Sequence, residues 1–363
     1  METARAATHQ HERKRPFCRA RFFLAQFRQA ANLSHIFGGD NHIMSRNIAL
    51  TLLVMSFFLS AALITGCLPA EELPSITAQE TPQSAEQASE APQLATAKVS
   101  AQLSEPGRAQ VTGHNDQRYF VDAGPASSGL LEIDTLLAAQ VTCGVFVAEK
   151  AAQELDLPLT DIAGTAAFDP ATEKIQVYLD LPGAGDEEVL DLANNLRQRC
   201  PIYTTLAEAN SVEFNPGEQF DGTVDNSAVV TAELFRFGGA NVTANGQTFV
   251  MDSVPPLDGP NEELNPLDMM IGGLAACSTF VYEEVAPAAN VSVLVEADFD
   301  PTGVRDLEGP NPRIQNIRIS MQADEYDKSQ ADEVEKQIKE RCYLHNILNG
   351  TVNIDISTEQ STS

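Results

Sequence analysis

Four cysteines carry most of the chemistry that this sequence could perform. The chain has six cysteines among its 363 residues, and two of them, Cys18 and Cys67, lie in the N-terminal part. The other four are Cys143, Cys200, Cys277 and Cys342. A thiolate is a nucleophile and two thiols can close a disulfide, so this even number indicates either structural pairing or redox chemistry.

The four cysteines belong to an internal repeat. The landmarks of the first copy are, in order, residues 109–122, Asp134, Cys143, Phe168-Asp169-Pro170 and Arg199-Cys200. Those of the second copy are residues 240–252, Asp268, Cys277, Phe299-Asp300-Pro301 and Arg341-Cys342. Each aspartate stands nine positions before its cysteine. Because the landmarks recur in one order, the sequence predicts two diverged copies of one domain.

Each copy predicts a β-hairpin, a buried helix, a second hairpin, a surface helix and a closing strand. Residues 136–148 and 269–282 are apolar on nearly all sides and contain small side chains, so both helices should pack centrally. Alternating or apolar runs predict strands at 174–181, 291–299, 314–321 and 351–357. The charged, amphipathic stretches 186–199 and 329–341 predict surface helices. The extra residues of the second copy fall in a predicted hairpin turn at 302–312.

The N-terminal part predicts export. Arg46 precedes an uncharged run that ends in Ile64-Thr65-Gly66-Cys67, which is typical of a signal peptide cleaved before a lipid-carrying cysteine. We interpret 44–66 as the signal peptide, 1–43 as an over-long start or an extension, and 67–97 as a disordered tether rich in Pro, Glu and Ser. An uncleaved membrane anchor is the alternative. The expected location is the cell envelope, on the periplasmic side of a bacterial membrane or its outer surface, with membrane contact through the lipid alone.

Charge and motifs exclude several classes of function. The formal net charge is −28, which repels nucleic acid and anionic headgroups. The sequence has no Cys-x-x-Cys, no Gly-rich phosphate loop and no triad-like grouping, which argues against nucleotide chemistry and serine hydrolysis. We predict no metal and no cofactor. His114 and His345 could act as bases or ligands, but lone histidines are more often turn or surface residues, and we interpret them so.

These motifs resemble the osmotically inducible protein C and organic hydroperoxide resistance (OsmC/Ohr) family. Asn265-Pro266-Leu267-Asp268 and the following Gly272 to Cys277 are similar to that family's buried helix and first cysteine. Cys200-Pro201, and Cys342 leading into His345-Asn346, are similar to its second cysteine motif. The resemblance covers roughly residues 98–357. It implies an α+β fold in which two OsmC-like domains, 98–214 and 227–358, form an intramolecular pseudo-dimer of antiparallel sheets around central buried helices. Residues 215–226 would be the linker and 359–363 a tail.

The resemblance also implies a thiol-dependent peroxidase that reduces organic hydroperoxides. Cys143 and Cys277 would then be peroxidatic, Cys200 and Cys342 would be resolving, and a thiol reductant of unknown identity would regenerate them. The family activates its thiolate with an Arg and a Glu. The Glu position is Leu267 in one copy and Ile133 in the other, so the candidate substitutes are Asp134 and Asp268, which also suit a helix start. The candidate arginines are Arg118 in the first copy and Arg236 in the second.

A non-catalytic function is the principal alternative. Two disulfides, Cys143 with Cys200 and Cys277 with Cys342, would persist in an oxidising compartment that offers no thiol pool to regenerate a peroxidase. The protein would then be a disulfide-stabilised binding or interaction module at the envelope, with a hydrophobic small molecule as ligand. Redox exchange with a partner protein is a third hypothesis.

Overall fold

The fold was derived from a computed structural model, which describes residues 94–124, 129–209, 211–222, 228–287, 290–324 and 327–360. All of them lie in one compact unit, Gln87–Ser363. The predicted signal peptide, most of the predicted tether, Cys18 and Cys67 lie outside the described residues.

Twelve strands and seven α-helices are found in these ranges. The strands are β1 (Ala95–Glu105), β2 (Arg108–Thr112), β3 (Arg118–Asp122), β4 (Ala163–Asp169), β5 (Lys174–Asp180), β6 (Val212–Pro216), β7 (Val229–Arg236), β8 (Gly239–Ala244), β9 (Gln247–Asp252), β10 (Val291–Phe299), β11 (Ile314–Ala323) and β12 (Asn353–Gln360). The helices are α1 (Glu132–Glu154), α2 (Asp186–Arg199), α3 (Pro201–Glu208), α4 (Pro266–Val285), α5 (Pro301–Arg305), α6 (Lys328–Arg341) and α7 (Tyr343–Leu348). Two short 3-10 turns cover His114–Asp116 and Pro255–Leu257.

The strands form two six-stranded sheets, and each sheet takes three strands from each half of the sequence. The orders are β12-β11-β10-β1-β2-β3 and β6-β5-β4-β7-β8-β9. In the first sheet β1 pairs with β10 antiparallel, so that Ala95 lies opposite Phe299. In the second sheet β4 pairs with β7 in the same sense, with Ala163 opposite Glu233. The first three strands of each half therefore complete the sheet of the other half.

One strand pair in each sheet is parallel. β5 pairs with β6, and β11 pairs with β12, in parallel register, whereas the other neighbours are antiparallel. A parallel pair requires a crossover, and helices α2–α3 and α6–α7 provide it in the two sheets. The sheets are therefore antiparallel except at the strand that follows each helical crossover.

The central helices α1 and α4 form the middle of the core. They pack against each other, and α4 packs mainly against strands of the first sheet whereas α1 packs mainly against strands of the second. Among the described residues, α1 alone is long and apolar enough to span a membrane, but 89% of its most apolar 18-residue window is buried inside the protein. The all-round apolar character that predicted a central helix is explained by this burial.

Three of the predicted domain boundaries fall inside strands of the structure. β1 begins at Ala95 rather than at residue 98, because residues Ala95 to Ala97 pair with β10. β12 extends to Gln360, since its last residues continue the parallel ladder with β11. The predicted tether and tail are shorter by these residues, and residues 215 and 216 of the predicted linker belong to β6.

Candidate functional site

One disulfide joins the two cysteines of each half. Cys143 on α1 is bonded to Cys200, and Cys277 on α4 is bonded to Cys342, with a Cα–Cα separation of 6.1 Å in both pairs. That separation lies within the usual range for disulfides. All four residues are buried. The two pairs named in the disulfide hypothesis are therefore the bonds present in the structure.

The second cysteine of each pair lies at the junction of two helices. Cys200 ends α2 and begins α3, and Cys342 ends α6 and begins α7. Both residues adopt extended backbone angles, which interrupts the helix and turns the side chain inward. The sequence prediction missed α3 and α7, although Pro201 at the first helical position is a recognised signal for a helix start.

Small residues let α4 approach its neighbours closely. A Cβ atom on Gly272 would collide with the hydroxyl of Tyr119, and one on Gly273 would collide with Oγ1 of Thr135 on α1. Tyr119 in turn donates a hydrogen bond to the backbone carbonyl of Asp268 at 3.3 Å. The glycine pair thus accommodates a strand of the first half and the facing central helix.

The two predicted aspartates lie at the starts of the central helices, away from the cysteines. Asp134 accepts a hydrogen bond from the backbone N–H of Leu131 at 2.8 Å, and burial raises the pKa of its carboxyl. Nine residues of helix correspond to a rise of about 13 Å, so neither aspartate contacts its cysteine from this position. Asp134 thus caps its own helix, whereas the side chain of Asp268 bonds to a residue of the first half.

Asp268 also forms an ion pair that sequence reasoning did not predict. Nδ1 of His114 bonds to the carboxylate of Asp268, and Nε2 bonds to the carbonyl of Asn261 at 3.1 Å. The hydrogen bond to Asp268 raises the pKa of His114, against the opposing effect of burial. Both ring nitrogens face acceptors, as suits an imidazolium that donates twice. His114 is thus a link between the first half and α4 rather than a free surface residue.

A cleft of about 650 Å³ opens beside this ion pair. Its wall includes the two members of the pair together with Ala97, Pro255, Leu267 and Phe299. The cleft is bordered by strands from both sequence halves and by the first residues of α4. Polar side chains such as Lys98, Asp116 and Asn265 also line it, so the wall combines apolar surface with convergent polar groups, as small-molecule sites usually do.

The predicted arginines do not reach the cysteines. Arg118 is exposed on β3, where alternation directs Tyr119 toward α4 and Arg118 to the opposite face of the sheet. Arg236 is bonded to the buried carboxylate of Asp252 at 2.9 Å, at the end of the hairpin. Neither arginine is in a position to stabilise a thiolate in this structure.

A different arginine is buried next to Cys200. Arg199 is fully buried and its guanidinium donates to the carboxylate of Glu154 at 2.6 and 3.2 Å. It also donates to the carbonyls of Val304 and Arg305, each at 3.0 Å. The repeated Arg-Cys dipeptide marks this position in the sequence. The hydrogen-bond partners of Arg199, however, come from distant segments, so a local pattern does not reveal them.

Two glutamates hold the hairpin turns onto the central helices. Glu149 of α1 accepts a hydrogen bond from the N–H of Gly238 at 2.9 Å, and Glu283 of α4 accepts one from Gly107 at 3.1 Å. Each glutamate stands six positions after the cysteine of its helix. Burial raises the pKa of Glu149 to about 7. In the sequence, only the equal spacing of the two glutamates from their cysteines indicates that they make corresponding contacts.

His345, which follows Cys342 by one helical turn, is buried rather than exposed. Its Nδ1 lies 3.4 Å from Oδ1 of Asn346, and burial lowers its pKa. Across the described ranges, no group of three or more His, Cys, Asp or Glu side chains has an arrangement that could hold a metal ion.

Comparison with known proteins identifies an OsmC-like domain. The family described as OsmC-like protein matches residues 259–357, a segment that contains both Cys277 and Cys342. No curated protein sequence matches the chain at a significant level.

Similar solved structures are small and distant in sequence. An OsmC-like protein from Mycoplasma pneumoniae is 18% identical, covering 38% of this chain and 98% of its own, with a TM-score of 0.32. An organic hydroperoxide resistance protein OsmC from Legionella pneumophila is 18% identical, covering 36% and 96%, with a TM-score of 0.30. The organic hydroperoxide resistance protein OhrB of Bacillus subtilis is 19% identical, covering 36% and 97%, with a TM-score of 0.28.

Proposed function

We propose that this protein is a thiol-dependent peroxidase that reduces organic hydroperoxides through its paired cysteines. The observation that carries the proposal is the bond between Cys277 and Cys342, because both cysteines lie inside the OsmC-like segment 259–357. A peroxidatic cysteine must come within bonding distance of its resolving partner, and each pair satisfies this requirement.

The proposed reaction has three steps. The thiolate of the first cysteine attacks a hydroperoxide oxygen, so that an S–O bond forms, the O–O bond breaks and the alcohol leaves after taking up a proton. The sulfenic acid condenses with the second cysteine, which releases water and forms the disulfide. A thiol reductant then supplies two electrons and two protons to restore both thiols. The disulfide-bonded pairs correspond to the state after the second step.

We also propose that the chain is a tandem repeat whose halves form an intramolecular pseudo-dimer. The order of elements supports it, because three strands, a central helix, two strands, two helices and a closing strand occur in both halves. The exchange of strands between the two sheets supports it as well. The proposed location at the cell envelope, through a lipid on Cys67, rests on the sequence of residues 44–67.

A disulfide-stabilised binding module is the second candidate. The cleft beside His114 and Asp268 favours it, since its partly apolar wall and half-buried ion pair suit a small molecule that has both apolar and polar groups. The complete burial of Cys200 and Cys342 also suits bonds that are permanent.

Single-turnover kinetics separate the two candidates. The full chain is reduced and mixed with cumene hydroperoxide, and peroxide loss is followed for the native sequence and for Cys143→Ser and Cys277→Ser. A peroxidase consumes peroxide much faster than a free thiol and loses this rate in at least one variant. Consumption at the rate of a free thiol in every protein would instead support the binding module.

A further inference from the structure

The two cysteine pairs are held in different surroundings. We propose that only the Cys277–Cys342 pair cycles between disulfide and dithiol, whereas the Cys143–Cys200 bond is a permanent brace. This inference rests on the proposed redox function and narrows it to one of the two halves.

A buried charge network fixes the chain next to Cys200. Arg199 has no exposed side-chain surface; it is bonded to Glu154 on α1, whose side chain is 40% exposed, and to two carbonyls of α5. Charged hydrogen bonds in a buried position are strong, and separating such partners leaves an uncompensated charge inside the protein. The end of α2 therefore cannot shift without breaking this network.

The network depends on a segment that only the second half has. Helix α5 lies in the connection between β10 and β11, and its carbonyls at Val304 and Arg305 are two of the groups that Arg199 binds. In the first half, residues 170–173 make a short turn between β4 and β5 instead. The longer connection of the second half thus holds the first cysteine pair, and the first half has no such helix to offer in return.

The corresponding arginine next to Cys342 is on the surface. Arg341 pairs with Glu284 at 2.7 Å, and the two side chains are 51% and 58% exposed. Exposed ion pairs contribute little, because water and salt screen them. The junction of α6 and α7 therefore lacks the buried arginine that restrains the junction of α2 and α3.

The contacts and exposure of the cysteines themselves also indicate that the Cys277–Cys342 pair is less restrained. Sγ of Cys200 accepts a hydrogen bond from the N–H of Tyr203 at 3.3 Å, whereas no side-chain cap bond is found at Cys342 in the described structure. Cys277 is 8% exposed and Cys143 3%. A thiolate that reduces a disulfide must approach one sulfur atom along the axis of the S–S bond. The slightly greater exposure of Cys277 therefore favours attack there.

The proposed reductant is a small external dithiol, because both cysteines of the pair are buried. One of its thiolates attacks Sγ of Cys277, which breaks the bond to Cys342 and forms a mixed disulfide. Its second thiol then displaces Cys277, so that both protein thiols are restored and the reductant leaves as a disulfide. Two electrons and two protons pass from the dithiol to the protein.

Graded reduction tests the inference without any peroxide. The folded full chain is treated with dithiothreitol, free thiols are trapped with N-ethylmaleimide, and each cysteine is assigned by peptide mass mapping, which also separates Cys18 and Cys67. We expect Cys277 and Cys342 to be trapped at least about tenfold faster than Cys143 and Cys200, because access and mobility control the rate. Equal rates, or earlier reduction of Cys143–Cys200, would overturn the inference.

Two matched variants test whether the Arg199 network causes the slower reduction of the Cys143–Cys200 bond. Glu154→Gln weakens the network at Arg199 and should speed reduction of the Cys143–Cys200 bond, whereas Glu284→Gln changes the exposed counterpart and should leave the order and rates as in the native chain. In guanidinium chloride the two bonds should be reduced at similar rates. Because no step uses a hydroperoxide, failure here is separate from failure of the peroxidase proposal: slow peroxide consumption with ordered reduction would reject only the peroxidase.

Discussion

At the residue scale, the polar groups that matter most are those buried against the other half of the chain. Arg199 binds α5, His114 binds Asp268, and Glu149 binds the turn at Gly238. Each partner lies far away in sequence, so no local pattern specifies the contact. The cysteines are different, because their recurrence in the repeat predicted which pairs would form.

Glu149 provides a pH test at this scale. Its pKa of about 7 lies above the ordinary value of 4.5 because its carboxyl is partly buried. The folded protein then binds more protons than the unfolded chain between these values, so Glu149 lowers stability as pH rises from about 5 to 8. The partial exposure of the carboxyl limits the effect to roughly 1–2 kcal/mol.

Urea unfolding at pH 5 and pH 8 measures this contribution. Glu149→Gln should lose less stability than the native chain over that interval, and the difference between the two proteins isolates Glu149 from His114. Glu283→Gln is the matched control, since it alters the corresponding contact on α4. If Glu149→Gln kept the full pH dependence of the native chain, the carboxylate would not be the buried group described here.

At the scale of elements, composition and periodicity predicted most of the architecture. The predicted strand at 291–299 and the predicted helix at 186–199 coincide with β10 and α2. The predicted central helices are extended at both ends in α1 and α4. The prediction failed for short helices, because α5 and α7 each span too few residues for a periodic pattern to appear.

Because α4 packs closely against its neighbours, one methyl group added at Gly272 should change the free energy of unfolding. Gly272→Ala should lower the free energy of unfolding by about 1–3 kcal/mol, because the new Cβ displaces the Tyr119 hydroxyl from the core. Helix propensity alone predicts the opposite sign, a gain of about 1 kcal/mol. The sign measured by urea unfolding therefore decides between packing and propensity.

The corresponding position in α1 supplies the control. Ala138 stands five residues before Cys143, as Gly272 stands five before Cys277. Ala138→Gly should cost about 1 kcal/mol, mainly through helix propensity. A stabilising Gly272→Ala substitution would contradict the close contact between β3 and α4.

At the scale of the whole molecule, the exchange of strands makes the halves interdependent. Both sheets need strands from before and after residues 223–227, the segment between β6 and β7 that lies outside the described residues. From the sequence, strand exchange of this kind was implied only by the resemblance of the proposed repeat to a known family. The pairing of β1 with β10 and of β4 with β7 is a long-range property that periodicity does not contain.

Cleavage of that segment tests the interdependence. A chain with a specific protease site inserted at 223–227 should, after cleavage, still elute as one species on size-exclusion chromatography and separate into two fragments only in denaturant. The uncleaved insertion variant is the control. Separation of the fragments under native conditions would mean that each half folds by itself, contrary to the strand order of the sheets.

The most direct test of the account is to locate the bond that a hydroperoxide forms. The full chain is reduced in its folded state, mixed with one equivalent of cumene hydroperoxide, trapped with N-ethylmaleimide at successive times and mapped by peptide mass. If Cys277 and Cys342 are the peroxidase pair, their disulfide should return rapidly with matching loss of peroxide. Peroxide that persists as it does with a free thiol, or oxidation that leaves Cys277 and Cys342 as free thiols, would contradict it.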